Sequence, residues 1–213
     1  MNKAVRTVAA LALVAALMAT SGCAPLVVGG ALVGGALVAT DRRPVGIQLE
    51  DQAIEVRVGR AIGARFQQDE TSVNVTSYNR RVLLTGEVPT EALRAEVERL
   101  AAAQENVRAV ANEIHVGAAS TFANRNNDLA ISARVLAAML READIPTASL
   151  IVHTSRSRVF LMGRVTEAEA AAAARSASRT DGVRQVVKLF EVMSDDEWRA
   201  LRSQPAPVES PRR

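Results

Sequence analysis

VNVTSYNRRVLLTGEV (Val73–Val88) and LIVHTSRSRVFLMGRV (Leu150–Val165) decide the fold, because they are one segment written twice. Val75 matches Val152, Arg81 matches Arg158 and Val82 matches Val159, all at an offset of 77. Leu84 and Leu161, Gly86 and Gly163, and Val88 and Val165 continue the register. Further on, ENVRAVANEIHV matches DGVRQVVKLFEV at an offset of 76, with Val107 and Arg108 against Val183 and Arg184. One residue is therefore deleted between the blocks. Two copies of a unit of about 70 residues are too few for a solenoid, so they are two small domains.

Each copy predicts the same order. A helix comes first, over roughly 51–67 and 127–143. Two short alternating strands follow, 72–77 with 81–88 and 149–154 with 158–165, around the polar turns SYNRR and TSRSR. A second helix starts near Pro89, which suits a first helical turn, and near Thr166, a good N-cap. A last strand closes each unit, over 107–116 and 183–193. The order α-β-β-α-β predicts an α+β fold, each domain a three-stranded mixed sheet packed on two helices. Gly86 and Gly163 interrupt strand patterns, which marks a bulge or close packing against a helix; both read as structural.

The N-terminus has a different character. Lys3 and Arg6 precede the apolar run TVAALALVAALMA and then TSGC, the layout of an export signal. The run is short for a spanning helix, which needs about 20 apolar residues. Cys23 is the only cysteine, so no internal disulfide exists. The apolar, Gly-rich LVVGGALVGGALVAT follows it. Gly30 and Gly34 have a spacing that packs helices in lipid, whereas the Gly pairs favour a flexible tether. The chain thus divides into a signal peptide (1–22), Cys23 with its tether (23–46), a first domain (47–118), a second domain (124–193) and a disordered tail (194–213).

Charge excludes one function class. The full chain carries 26 basic and 23 acidic residues, a formal +3. Removing residues 1–22 takes away Lys3 and Arg6 and leaves 24 against 23, so composition gives no support for nucleic-acid binding. The domains differ, however. Residues 50–117 hold 8 basic and 11 acidic groups, and residues 124–193 hold 10 and 7. Positive potential therefore gathers on the second copy. Its first helix carries Leu129, Ala133, Leu136 and Leu140 at helical spacing, a stripe expected to face the sheet. Ile131, Val135, Ala138 and Met139 form a second apolar stripe, flanked by Arg134 and Arg141. That second stripe either dips into a membrane boundary or packs inside the molecule. Leu129, Ala130 and Ile131 include no aromatic anchor for an interface. Trp198 lies beyond the second domain, in a segment with the pattern of a short amphipathic helix.

Catalysis finds little to work with. His115 and His153 sit in strand patterns without a paired acid. No nucleophile elbow, phosphate loop or metal-ligand cluster is present. No cofactor is expected.

The TSGC ending resembles a bacterial lipobox, with Thr20 where leucine is preferred. The repeat, with its VLLTG and VFLMG strands and the GVRQVV ending, resembles the BON domain of bacterial envelope proteins. Lipobox, tether and two copies together resemble the dual-BON outer-membrane lipoproteins. That resemblance implies acylation of Cys23 and residence on the periplasmic face of the outer membrane; Ala24 and Pro25, with no Asp after the cysteine, agree with outer-membrane sorting. It implies a non-enzymatic part in envelope integrity, in the family also at the division site. It further implies binding of an anionic phospholipid such as phosphatidylglycerol through the first helix of the second domain. Leu129, Ala130, Ile131, Arg134, Val135, Ala138, Met139 and Arg141 are the contact residues this suggests. The alternative is a protein–protein adaptor that docks on an envelope machine or on peptidoglycan-remodelling factors.

Overall fold

A computed structural model describes residues 41–66 and 71–203. The first copy comprises α1 (Val45–Arg65), β1 (Ser72–Tyr78), β2 (Arg81–Val88), α2 (Glu91–Ala102), β3 (Ala109–Asn112) and β4 (His115–Val116). The second comprises α3 (Phe122–Met139), β5 (Leu150–Ser155), β6 (Arg158–Val165), α4 (Glu167–Ser178) and β7 (Gln185–Val192), and α5 (Asp195–Ser203) follows. Each copy is the expected α-β-β-α-β unit with a mixed sheet. β1 runs antiparallel to β2, and β3 and β4 run parallel to it. The second sheet repeats this as β5-β6-β7. The closing strand of the first copy is broken at Glu113 and Ile114, whereas β7 pairs with β6 along its whole length.

Local chemistry sets the helix ends. The Thr90 hydroxyl accepts from the Leu93 N–H, so Pro89 precedes the cap and does not lie in the first turn. Thr166 and Glu169 form a reciprocal capping box. Thr121 caps α3 by accepting from the Asn124 N–H, so this helix starts at Phe122, five residues before the expected Asn127. α1 likewise starts early, at Val45 behind Pro44.

Both β-hairpins turn on two residues with positive φ, Asn79 (50°) with Arg80 (65°) and Arg156 (55°) with Ser157 (60°). This geometry matches the twist of paired strands but costs non-glycine residues energy. A buried aspartate offsets that cost in each copy. Asp51 of α1 accepts from the backbone N–H groups of Asn79 (2.8 Å) and Arg80 (2.7 Å). Asp128 of α3 accepts from those of Arg156 and Ser157, both at 2.8 Å. The two aspartates stand 77 residues apart, so the repeat extends back into the first helix.

The glycines serve a close approach, though not to a helix. A Cβ on Gly86, whose φ is +108°, would lie 1.9 Å from the Ser72 carbonyl oxygen. One on Gly163 would lie 2.6 Å from the Ser149 carbonyl oxygen. In both copies the backbone at the start of the neighbouring strand occupies that space.

The two sheets pack against each other. Val82, Leu84 and Val88 point to α1 and α2, and join Ile54, Val58, Ile62 and Val97 in one core. Val159 and Leu161 point to α3 and α4, and join Ile131, Val135 and Met139 in another. The alternate residues do not face water. Leu83 and Tyr78 meet Phe160 and Met162 in a third core between the sheets. The layers are therefore helices, sheet, sheet, helices. This corrects the alternating reading of the hairpins, since central strands buried on both faces read as continuous apolar runs. VLL and VFLM are such runs.

Polar contacts finish the interface between the domains. The Tyr78 hydroxyl donates to the Ser149 carbonyl and accepts from the Arg164 N–H, both at 3.1 Å. Thr85 Oγ1 and His153 Nε2 bond at 2.8 Å, and Arg158 pairs with Glu113 at 2.7 Å. Residues 41–43, expected to belong to the tether, form a clamp instead. Arg42 makes two 2.7 Å bonds to the Glu169 carboxylate and covers the Trp198 ring at 3.9 Å. Arg43 pairs with Asp51 at 2.7 Å and covers the Tyr78 ring at 4.0 Å. The start of the expected disordered tail is also corrected: 195–203 is α5, opened by a capping box between Ser194 and Glu197. Cys23, the signal peptide, the Gly-rich tether and residues 204–213 lie outside the described residues.

Candidate functional site

The first helix of the second domain carries two apolar stripes, and the structure exchanges their expected roles. Ile131, Val135 and Met139 are completely buried against the sheet. Ala138 is half-buried beside them. Leu129 is 69% exposed, Leu136 40% and Leu140 65%. The expectation that Leu129, Ala133, Leu136 and Leu140 face the sheet is therefore corrected, as is contact of Ile131, Val135 and Met139 with a ligand. The physical reason is Asp128. To reach the Arg156 and Ser157 amides it must point at the hairpin, and this fixes the rotation of the helix. Positions 131, 135 and 139 then follow it onto the inner face, at helical spacing.

The exposed stripe is longer than the sequence suggested, because the helix begins earlier. Phe122 occupies its first position and is 72% exposed. Phe122, Leu129, Leu136 and Leu140 thus share one face along the whole helix, with the small exposed Ala133 between them. An exposed aromatic side chain is thus present on this face, seven residues and about two turns ahead of Leu129. Arg134 and Arg141, seven residues apart, line one flank beside the exposed Ala130 and Ala137. Arg134 Nε donates to the Asp181 carbonyl at 3.2 Å, which braces that guanidinium. Arg125, near the N-terminal end, donates to the Ser120 carbonyl.

Comparison of the copies gives the signal that was missed. At the offset of 77, Asp128, Ile131, Val135 and Met139 correspond to Asp51, Ile54, Val58 and Ile62, which are all buried in the first domain. Leu129, Leu136 and Leu140 correspond to Gln52, Gly59 and Gly63 on the outer face of α1. The copies agree where the fold needs apolar side chains. They differ on the outer face, where packing makes no demand: at these three positions the second copy carries leucines and the first does not.

A cavity of about 350 Å³ opens beside this helix at the seam between the domains. Thr85, His153, Ser132 and Thr154 line it, with Arg125 and Leu129 at one side. Ser132 Oγ and Thr154 Oγ1 bond at 2.8 Å. Burial pushes the His153 pKa below its ordinary value, and the Asp128 charge opposes that only in part. His115 is exposed on β4 and far from His153 in sequence. Among the described residues, no group of three or more His, Cys, Asp or Glu side chains is placed to hold a metal. No described helix is long and apolar enough to cross a membrane.

Residues 50–118 and 127–194 each match the BON domain family. The chain therefore belongs to the BON-domain family and carries two copies of the domain. It is similar to the outer membrane lipoprotein DolP of Haemophilus influenzae, with 36% identity over 81% of this chain and 89% of that protein. A 21 kDa hemolysin of Actinobacillus pleuropneumoniae is 32% identical over 70% of this chain and 78% of its own length. The osmotically-inducible protein Y of Escherichia coli is 27% identical over 71% and 77%. Among solved structures, a chain of CdsD, a structural protein of the type III secretion system of Chlamydia trachomatis, aligns over 70% of this chain and 97% of its own at 10% identity, with a TM-score of 0.29. Two BON domains and the extensive identity to a curated lipoprotein define this chain as a dual-BON lipoprotein of the outer membrane.

Proposed function

We propose that this lipoprotein is non-enzymatic, is held at the periplasmic face of the outer membrane by acylated Cys23, and binds anionic phospholipid through α3. The observation that carries this reading is the ridge of Phe122, Leu129, Leu136 and Leu140, exposed on a helix whose inner face already satisfies the core. An apolar ridge with arginines on its flank suits the boundary between head groups and acyl chains, where the leucines enter and the guanidiniums meet phosphate. Its role is to support outer-membrane integrity, and the family resemblance extends this to the division site.

Arg134→Glu and Arg141→Glu test the reading, because both side chains are exposed. In vesicle flotation the double variant is expected to lose binding to membranes containing phosphatidylglycerol while its amide spectrum stays native. Unchanged flotation by a folded double variant removes α3 as the lipid site. A second reading, docking on an envelope protein, is favoured by α1, where Val45, Leu49 and Val56 are also exposed at helical spacing. It predicts that Leu49→Asp abolishes capture of a periplasmic protein while flotation is retained.

A further inference from the structure

We propose that the cleft between the domains holds an anion site, built by Arg94, Arg156 and Arg158, that takes a phosphate group. The site is separate from the α3 ridge and does not depend on it. Both domains contribute. Arg94 and His115 come from the first domain, and Arg156 and Arg158 from the β5–β6 hairpin of the second. They line one cavity of about 140 Å³. A water occupies roughly 30 Å³ of liquid, so the cavity has room for a phosphate-sized oxyanion with a water or two.

Charge and donor geometry point the same way. Three guanidiniums line the cavity against one carboxylate, Glu113. That carboxylate is already engaged, since Arg158 Nη2 donates to it at 2.7 Å. Arg158 Nε donates to Gln185 at 2.9 Å, and its guanidinium lies 5.2 Å from the Phe160 ring centroid. The guanidinium is thus held on two sides and over a ring. Arg156 is more loosely engaged. Its Nη1 stands 3.6 Å from Glu87 Oε1, beyond hydrogen-bond length, and that oxygen already accepts from the Ser120 hydroxyl. Arg94 Nη2 donates to the Asn112 carbonyl at 3.2 Å and Nη1 reaches Glu91 at 3.4 Å, while its buried Nε has no hydrogen-bond partner.

The hairpin backbone is fixed as well, because Asp128 binds the N–H groups of both Arg156 and Ser157. The arginines therefore start from an anchored turn. Guanidiniums present paired donors that match phosphate oxygens, and several around one cavity favour a phosphate over a singly charged halide. A bound phosphate would bridge the domains and add charge-assisted bonds to three guanidiniums that each have a single carboxylate, Glu91, Glu87 or Glu113, in ion-pair range. The phosphate of a lipid head group and soluble phosphate share this chemistry.

The test uses the full acylated chain in nonionic detergent, titrated with inorganic phosphate and with chloride at matched ionic strength. The arginine Nε–Hε resonances report binding. Saturable shifts with phosphate alone are expected, and Arg156→Gln and Arg94→Gln are each expected to weaken binding tenfold or more while keeping the native amide spectrum. Leu129→Asp is expected to leave phosphate binding unchanged, which separates this site from the ridge. Vesicles of phosphatidylcholine with phosphatidylglycerol then identify the source. Competition between phosphate and these vesicles, with weaker flotation of Arg156→Gln, assigns a lipid head group. Unaffected flotation of that variant, with its phosphate binding lost, assigns soluble phosphate. Shifts no larger than those with chloride, or native affinity in both folded glutamine variants, overturn the proposal.

Discussion

Replacing Ile131 and Leu129 by alanine, one at a time, distinguishes the inner face of α3 from the outer one. The residues are two positions apart, yet Ile131 is fully buried and Leu129 is 69% exposed. Truncating a fully buried isoleucine leaves a cavity and costs about 2–5 kcal/mol. At this chain length each kcal/mol shifts Tm by roughly 2–4 °C, so Ile131→Ala is expected to melt about 5–15 °C lower. Leu129→Ala removes surface that was already in water and stays within about 0.5 kcal/mol of the parent. Membrane binding orders the pair the other way. Full burial of a leucine side chain contributes about 1.5–3 kcal/mol, so the exposed part of Leu129 supplies roughly 1–2 kcal/mol on entering the acyl boundary. Leu129→Ala is then expected to bind phosphatidylglycerol vesicles about 5- to 30-fold more weakly, and Ile131→Ala to bind normally below its melting temperature. Thermal melting by circular dichroism and vesicle flotation on the same preparations read both quantities. The reasoning fails if Leu129→Ala melts as low as Ile131→Ala, because the helix is then rotated. It also fails if Leu129→Ala and Leu140→Ala both float like the parent.

Arg42→Ala removes two bonds from the partly buried Glu169 carboxylate, leaves it the Thr166 N–H, and uncovers Trp198, the only tryptophan of the chain. A loss of about 2–4 kcal/mol is expected, with a changed tryptophan emission at temperatures where the sheets remain intact; unchanged emission and stability would show that the clamp is idle. Stability should also fall on acidification. Burial lowers the folded pKa of His153, so below its unfolded value near 6.5 the unfolded chain binds more protons than the native one. The stability is complete above that value and declines as pH falls toward the folded pKa. His153→Gln, which keeps a partner for Thr85, should flatten the decline in urea midpoints between about pH 7 and pH 5, and an unchanged slope would assign it to other groups. Tyr78→Phe removes the hydroxyl that joins Ser149 and Arg164, and about 1–3 kcal/mol should be lost on chemical denaturation because two hydrogen bonds across the domain interface are lost together. A variant as stable as the parent would mean that water replaces the hydroxyl.

Sequence alone determined the repeat and, with it, the architecture of each domain. Matching apolar positions at an offset of 77 define two copies of one unit, and period-two and helical patterns assign its elements. The glycines in β2 and β6 were legible as points of close approach, since a side chain there has nowhere to go. The lipobox and the Gly-rich run were read from linear sequence alone, and they lie outside the described residues. Two things were decided only by tertiary structure. The first is which face of α3 is buried. Both stripes are apolar, and helical periodicity ranks them no further; the bonds from Asp128 to a hairpin nearly 30 residues away fix the rotation. The second is that the sheets pack back to back, which turns Leu83, Tyr78, Phe160 and Met162 into core and leaves the helices outermost. Burial is a property of what lies opposite a residue, and only the folded chain brings the opposing surface there.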